Sequence, residues 1–285
     1  MGLILVRYAE LGLKSRAVRR RFESILVSNI MDALAYAGVE AVVATEQGRV
    51  FVESTDSQKC LAAIVRVFGV ASASHVIKVP SDMQTMQVTA AEFSRPMIRK
   101  GQSFAVRARR VGEHSYTSTD VGREVGSAIY LANEEKGIRV DLTDPDVEFF
   151  VEVRSRSAYI FSEYVPGPGG LPLGSQGRAL ALLEKPRDAL AAWLIMKRGC
   201  RIIAISPERN KVSDILRAWD PHLKVLLPSE WNELVKRNRA VAVVFGYGVD
   251  ELSRMQEMKL PVPAFYPLAG IGESEIEERL KGIGG

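Results

Sequence analysis

Pro166-Gly-Pro-Gly-Gly-Leu-Pro-Leu-Gly-Ser-Gln-Gly177 divides the chain. Five glycines and three prolines in a dozen residues exclude helix and central strand, since proline lacks an N–H and glycine gives up too much backbone freedom. The stretch reads as a linker or a shaped loop, and the rhythm of the sequence differs on its two sides. Downstream, short apolar runs at 179–183, 201–205, 223–227 and 240–245 alternate with helical spacing at 189–198, 212–219 and 230–237. Buried strands alternating with helices predict a parallel, Rossmann-like α/β sheet.

Upstream the pattern is α+β. A strand at 3–8 leads to a helix over 15–36, whose stripe is Val18, Phe22, Ile25, Leu26, Ile30 and Leu34, closed by Gly38. A hairpin follows at 39–45 and 49–53, turning at Gln47-Gly48, and then a short amphipathic helix over 58–68. A second module begins with a strand at 70–79 and a helix over 82–100 broken near Pro96. Its next strand, 103–110, sets Phe104, Val106 and Ala108 on one face and Arg107 and Arg109 on the other. A helix over 117–135 and a hairpin of 146–154 with 157–164 complete it.

The 285 residues carry a net charge of only +4, so charge alone does not announce nucleic acid. Its distribution says more. Lys14, Arg16, Arg19, Arg20 and Arg21 form one basic run without an acid, and Arg95, Arg99, Lys100, Arg107, Arg109 and Arg110 form another. Acids gather elsewhere, at Asp141, Asp144, Asp146, Glu148 and Glu152. Sorted charge of this kind gives a basic face on a nearly neutral molecule, or simply two solvated surfaces. The start lacks the pattern of a signal peptide and no stretch is long enough to span a bilayer, so a cytoplasmic protein without a membrane partner is expected.

Catalytic signals are sparse. His75, His114 and His222 are scattered, no Cys/His set has zinc spacing, and Cys60 and Cys200 read as buried reduced thiols. No metal site and no catalytic residue is assigned. Tyr8 and Tyr116 lie near basic residues, where they could stack on bases or merely pack. A nucleotide would sit where the strand 179–183 meets the helix 189–198, because helix N-termini attract phosphate. The connection Glu184-Lys185-Pro186-Arg187-Asp188 has neither glycine nor serine, loses an N–H at Pro186 and places Glu184 where anionic oxygens would lie. Lys185 and Asp188 are the residues there that could hold a nucleotide weakly; the plainer reading makes Asp188 the helix cap.

Read together, these segments resemble the tRNA 4-thiouridine synthetase (tRNA sulfurtransferase, thiamine biosynthesis) family. Arg7-Tyr-Ala-Glu-Leu-Gly-Leu-Lys-Ser-Arg16 is similar to its opening motif, with Ala9 where glycine is usual. Phe104-Ala-Val-Arg-Ala-Arg-Arg110 and Val140-Asp-Leu-Thr-Asp-Pro-Asp-Val147 are similar to the core of a THUMP domain, and 167–178 to the family's linker. Ala191-Ala-Trp-Leu-Ile-Met-Lys-Arg-Gly199 resembles the first helix of its catalytic domain. The resemblance implies a ferredoxin-like module over 1–55, a THUMP RNA-binding domain over 56–165, a linker over 166–178 and a PP-loop-like domain over 179–285. It implies a homodimer acting on tRNA, with ATP and magnesium as cofactors where adenylation occurs. The family's Ser-Gly-Gly-x-Asp-Ser loop is absent here and only Asp188 corresponds to any part of it, so no cofactor is expected. ATP and magnesium enter only if a variant loop works. The two cysteines support neither a sulfur-carrying nucleophile nor an iron–sulfur cluster, so sulfur would come from a separate sulfurtransferase or donor. A dimeric scaffold without RNA binding is the third reading. In this context Lys14, Arg16, Arg107, Arg109, Arg110 and Arg178 are the expected RNA-binding residues, arginine forks matching phosphate oxygens.

Overall fold

The computed structural model describes residues 1–8, 15–46, 48–207, 211–251 and 259–284. In chain order its elements are β1 (Gly2–Arg7), α1 (Arg16–Tyr36), β2 (Ala41–Glu46), β3 (Arg49–Ser54), α2 (Ser57–Ile64), β4 (Ser72–Pro80), α3 (Met83–Ser94), β5 (Ser103–Val111) and α4 (Ser118–Asn133). There follow β6 (Arg139–Val140), β7 (Val147–Arg154), β8 (Ser157–Phe161), β9 (Val165–Pro166), β10 (Arg178–Leu182), α5 (Pro186–Met196), β11 (Arg201–Ile205) and α6 (Lys211–Arg217). The last are β12 (Lys224–Leu226), α7 (Trp231–Asn238), β13 (Ala242–Val244), β14 (Ala264–Phe265) and α8 (Glu273–Gly284). No helix among the described residues is long and apolar enough to cross a membrane.

One sheet has the order β2-β3-β1-β4-β8-β7-β5-β6, with β9 beside β4. The other, β12-β11-β10-β13-β14, is parallel throughout. Two compact units result: residues 1–5, 51–57 and 73–165 form the first, and residues 6–50, 58–72 and 166–285 the second.

The core of the first unit lies between its sheet and helices α3 and α4. Val121, Val125 and Ile129, four residues apart on α4, are fully buried against Phe104, Phe149 and Val151. Thr117 starts α4 with a reciprocal cap: its Oγ1 accepts from the Asp120 amide at 3.2 Å and Asp120 accepts from the Thr117 amide at 2.9 Å. Asp82 caps α3 by accepting from the Thr85 amide at 2.8 Å. That helix ends at Ser94, short of the expected 100, because Pro96 would clash with the turn before it.

In the second unit the parallel sheet is covered on one face by α5 and α6, through Ala189, Ala192, Met196, Val212 and Leu216. Its other face packs on Leu234 and Val235 of α7. Phe68, just after α2, is buried in the first of these cores, with its ring 5.4 Å from both Trp193 and Trp219. The glycine-rich stretch is a shaped loop rather than a loose tether. Gly69 N–H donates to Gly169 C=O at 2.8 Å, Gly169 N–H to Val70 C=O at 2.8 Å, and Leu171 N–H to Lys197 C=O at 3.0 Å. Gly170 is there because it needs φ +73° and because a Cβ would stand 2.1 Å from the Lys197 carbonyl oxygen.

Candidate functional site

Two places bear on ligand binding, a groove in the first unit and the strand-end crevice of the parallel sheet in the second. In the first unit β6 is only two residues long and pairs with Ser103 and Phe104 of β5. Beyond Phe104, the side of β5 turned away from β7 has no strand partner among the described residues. Helix α4 runs beside that bare edge, and between them lies a groove of about 820 Å³. Val106, Arg107, Gly122, Gly126, Tyr130 and Leu142 are among its lining residues. The groove exists because α4 carries two glycines four residues apart on the face toward β5. A Cβ at Gly122 would come no nearer than 3.9 Å to the Val106 carbonyl, and one at Gly126 no nearer than 3.8 Å to the Val106 side chain. Internal packing therefore does not demand glycine at either place, though each costs the helix about 1 kcal/mol relative to alanine. The Gly-x-x-x-Gly spacing at 122–126 is the sequence signal for this groove.

Arg107 sits at the groove with its Nε donating to Glu148 at 2.7 Å and its Nη2 to the Leu142 carbonyl at 2.9 Å, which aims the guanidinium while leaving it half exposed. Arg109 is exposed and has no ion pair among the described residues. Arg110 donates to the Gly112 carbonyl at 2.8 Å. Strand β5 thus carries Arg107 and Arg109 toward one face of the sheet and Arg110 toward the other, with only Arg107 lining the groove. Lys14 lies outside the described residues, and Arg16 opens α1. Arg178 is exposed at the start of β10, in the second unit. Tyr8 and Tyr116 are not open platforms. The Tyr8 hydroxyl is bonded to Glu23, and burial and that carboxylate push its pKa up. The Tyr116 hydroxyl donates to the Ser81 carbonyl.

The second place is the crevice of the parallel sheet. The chain lays down β10, β11 and β12 in one direction and then returns to add β13 on the far side of β10. Ligands of such sheets bind outside the carboxyl ends of the strands at this reversal, here after Leu182 and Val244. Asp188 occupies it. The expectation that Asp188 is the N-cap of α5 is corrected: Lys185 is the N-cap residue, and Asp188, three positions on, reaches back to it. Its carboxylate accepts from the Glu184 amide at 2.8 Å and the Lys185 amide at 2.7 Å. The Lys185 amide is among those that a phosphate at this helix N-terminus would use, and the Glu184 amide immediately precedes it. Burial raises the Asp188 pKa, and the two amides partly oppose it. Gly246, after β13, presses on the same carboxylate: a Cβ there would fall 2.1 Å from Oδ1. The neighbouring cations are engaged as well, Lys185 with Glu251 at 3.6 Å and Arg187 with Glu273 at 2.9 Å. Cys60 is buried, whereas Cys200 is only partly so, packed at the margin of the parallel-sheet core where the chain leaves α5 for β11, with Sγ 3.6 Å from the Gln176 carbonyl.

A family model described as the ThiI ferredoxin-like domain matches residues 3–74, and one described as the THUMP domain matches residues 80–163. The "Probable tRNA sulfurtransferase" of Methanosarcina acetivorans is 34% identical over 335 residues, taking in 99% of this chain and 81% of the relative. The chain belongs to the tRNA sulfurtransferase family. A family member from Aeropyrum pernix is 33% identical, with 99% of this chain and 83% of the relative covered. An alignment 335 positions long that takes in 99% of 285 residues leaves about 50 positions where the Methanosarcina sulfurtransferase has residues and this one has none. Among solved structures, PH1313 from Pyrococcus horikoshii matches at TM-score 0.86 and 28% identity, with both chains wholly covered. The crystal structure of a 4-thiouridine synthetase–RNA complex with bound ATP shares the fold at TM-score 0.77 and 24% identity, over 100% of this chain and 85% of that one. The fold of this sulfurtransferase family member is a ferredoxin-like module, a THUMP domain and a Rossmann-like parallel α/β domain.

Proposed function

We propose that this family member binds tRNA through the β5–α4 groove of its THUMP domain and has lost adenylation at its own nucleotide crevice. The Asp188 carboxylate on the Glu184 and Lys185 amides carries the second half of that reading. A phosphate entering the crevice would meet an acceptor where it needs donors. Two like charges about 4 Å apart repel by roughly 4 kcal/mol at an effective dielectric near 20, about a thousandfold in affinity. The residues present therefore do not fit a triphosphate. The surviving activity is RNA capture. Arg107, Arg109 and Arg110 hold phosphates, and the groove beside them is lined by Tyr130 and by the bare edge of β5, which can pair with base edges.

Calorimetry with ATP and magnesium tests the crevice, and binding of unmodified tRNA to the Arg107→Ala/Arg109→Ala/Arg110→Ala variant tests the groove. No heat with ATP and weaker binding across many tRNAs are the expected results. Tight nucleotide binding, with 4-thiouridine formed from ATP and sulfide, would instead establish an active sulfurtransferase with a variant loop. Unchanged tRNA binding by the triple variant would remove the groove from the account.

A further inference from the structure

The parallel sheet has a second end, opposite the crevice, and it is strongly basic. Arg178 opens β10, and Arg201 opens β11 in direct register with it. The Val241 amide, leading into β13, donates to the Arg178 carbonyl at 2.9 Å, which brings Arg239 close. Lys224 opens β12, and its Nζ donates to Asn238 at the end of α7 at 3.2 Å. Lys236 and Arg237 lie in the last turn of that helix. Of these cations Arg201 is engaged, its Nε 3.5 Å from the buried Asp220. Arg178, Lys224, Lys236, Arg237 and Arg239 are exposed and make no ion pair among the described residues. The acids of α7, Glu230 and Glu233, are at its other end.

Cations at a helix C-terminus complement the helix dipole, and that alone would explain Lys236 and Arg237. It does not explain Arg239. This residue lies past the helix at φ 52° and ψ 42°, the left-handed conformation that glycine or asparagine adopts with less strain. Folding would favour glycine there, and the sequence has an exposed arginine. A strained residue that the fold does not require points to a ligand.

We propose that this end of the Rossmann-like domain, through Arg178, Lys224, Lys236, Arg237 and Arg239, is a second RNA-phosphate-binding surface. Arginine forks and lysines without carboxylate partners suit phosphate oxygens, and the contact positions an RNA without reading its bases. The surface is independent of the crevice, so a domain that does not hold a nucleotide still contributes to substrate capture. This rests on the reading of the protein as a tRNA binder.

The test compares the full chain with an Arg178→Ala/Arg237→Ala/Arg239→Gly variant, using an unmodified tRNA transcript over a range of salt concentrations. The variant should melt no lower than the parent, because glycine suits position 239. Each lost phosphate contact should make the slope of log affinity against log salt shallower by about 0.7–0.9, hence by about 2 or more for the three. An Arg237→Lys variant should keep most of the slope. Full affinity and an unchanged slope in the triple variant would overturn the proposal, as would polyglutamate competing as well as tRNA, which would make this an acidic-protein site. The β5 triple variant is measured alongside. Loss there with none here sinks only this proposal, no loss in either variant removes both surfaces, and absence of tRNA binding by the parent sinks the reading on which this proposal rests.

Discussion

Replacing Gly122 and Gly126 by alanine should make the protein more stable. Both are interior to α4, neither has positive φ, and the added methyl groups meet only Val106 atoms at 3.9 and 3.8 Å, ordinary contact distances. Each substitution removes a helix-propensity penalty of about 0.8–1.0 kcal/mol, so the pair should gain about 1.5–2 kcal/mol. For a chain of this size that corresponds to a rise in melting temperature on the order of 5 °C. Gly126→Leu keeps the propensity gain but puts a branched side chain into the groove. If a base stacks there, its loss is worth about 1–3 kcal/mol, so tRNA affinity should fall by roughly tenfold or more. Calorimetric melting and fluorescence anisotropy with labelled tRNA read the two effects separately. A lower melting temperature for the alanine pair would show that the glycines serve packing. Undiminished tRNA affinity for Gly126→Leu would show that the groove is not where RNA lies.

Asp188→Ala should cost about 1–2 kcal/mol of stability through loss of its amide bonds, and should free those amides, so that pyrophosphate raises the variant's melting temperature and not the parent's. Equal stabilisation of both would show that Asp188 does not block the crevice. Thr117→Ala should destabilise by about 1 kcal/mol, with hydrogen exchange rising first in the opening turn of α4. Gly170→Ala should cost more than about 3 kcal/mol, since strain at φ +73° adds to the clash with Lys197, whereas Gly169→Ala, with φ +64° and nothing nearby, should cost only about 1 kcal/mol. Equal melting temperatures for these two would contradict the close approach. Mild acidification should affect the two units differently. Burial raises the Asp188 and Asp220 pKa values, and the protonated forms favour folding, so their contribution grows as pH falls through those raised values and is lost as pH rises through them. Backbone amides lower the pKa of Asp82, Asp120, Asp141 and Asp146, whose contribution is present above the ordinary value of 3.8 and is lost only as pH falls through the lowered ones. All three tryptophans lie in the second unit, so their fluorescence should report firmer folding of that unit as the pH is lowered through the raised Asp188 and Asp220 values. A steady weakening over that range would contradict it.

Periodicity located the long elements other than the C-terminal helix α8, because a helix stripe such as Phe22, Leu26, Ile30 and Leu34, or the alternation of β5, is set by local geometry that the sequence must obey, whereas the charged α8 buries only Ile276 and Ile283. Short elements escaped. β14 is two residues beside Pro263, and β6 two residues beside an acidic turn, too brief for any period to show. The arginines of β5 were readable as a set, but their engagement was not: the Glu148 and Leu142 partners of Arg107 depend on the register of β7 and on the turn before it. The loop after β10 was readable as poor in glycine, yet the fate of its amides was hidden, since nothing local says that Asp188 points backward. The groove depends on what is missing from α4, and an absent side chain leaves a weak trace in a sequence.

Helices α1 and α2 come early in the chain, but Phe68 and the stitched stretch from Gly69 to Leu171 place their surroundings in the same compact body as the parallel sheet. A gene fragment cut at Pro166 would therefore yield a C-terminal half missing part of its own interior, with Trp193 and Trp219 laid open to water. Such a fragment should be recovered as aggregate, and adding residues 1–72 in trans should bring it back into solution. Expression trials, domain swaps and deletion mapping on this protein have to respect a seam that sequence order does not mark.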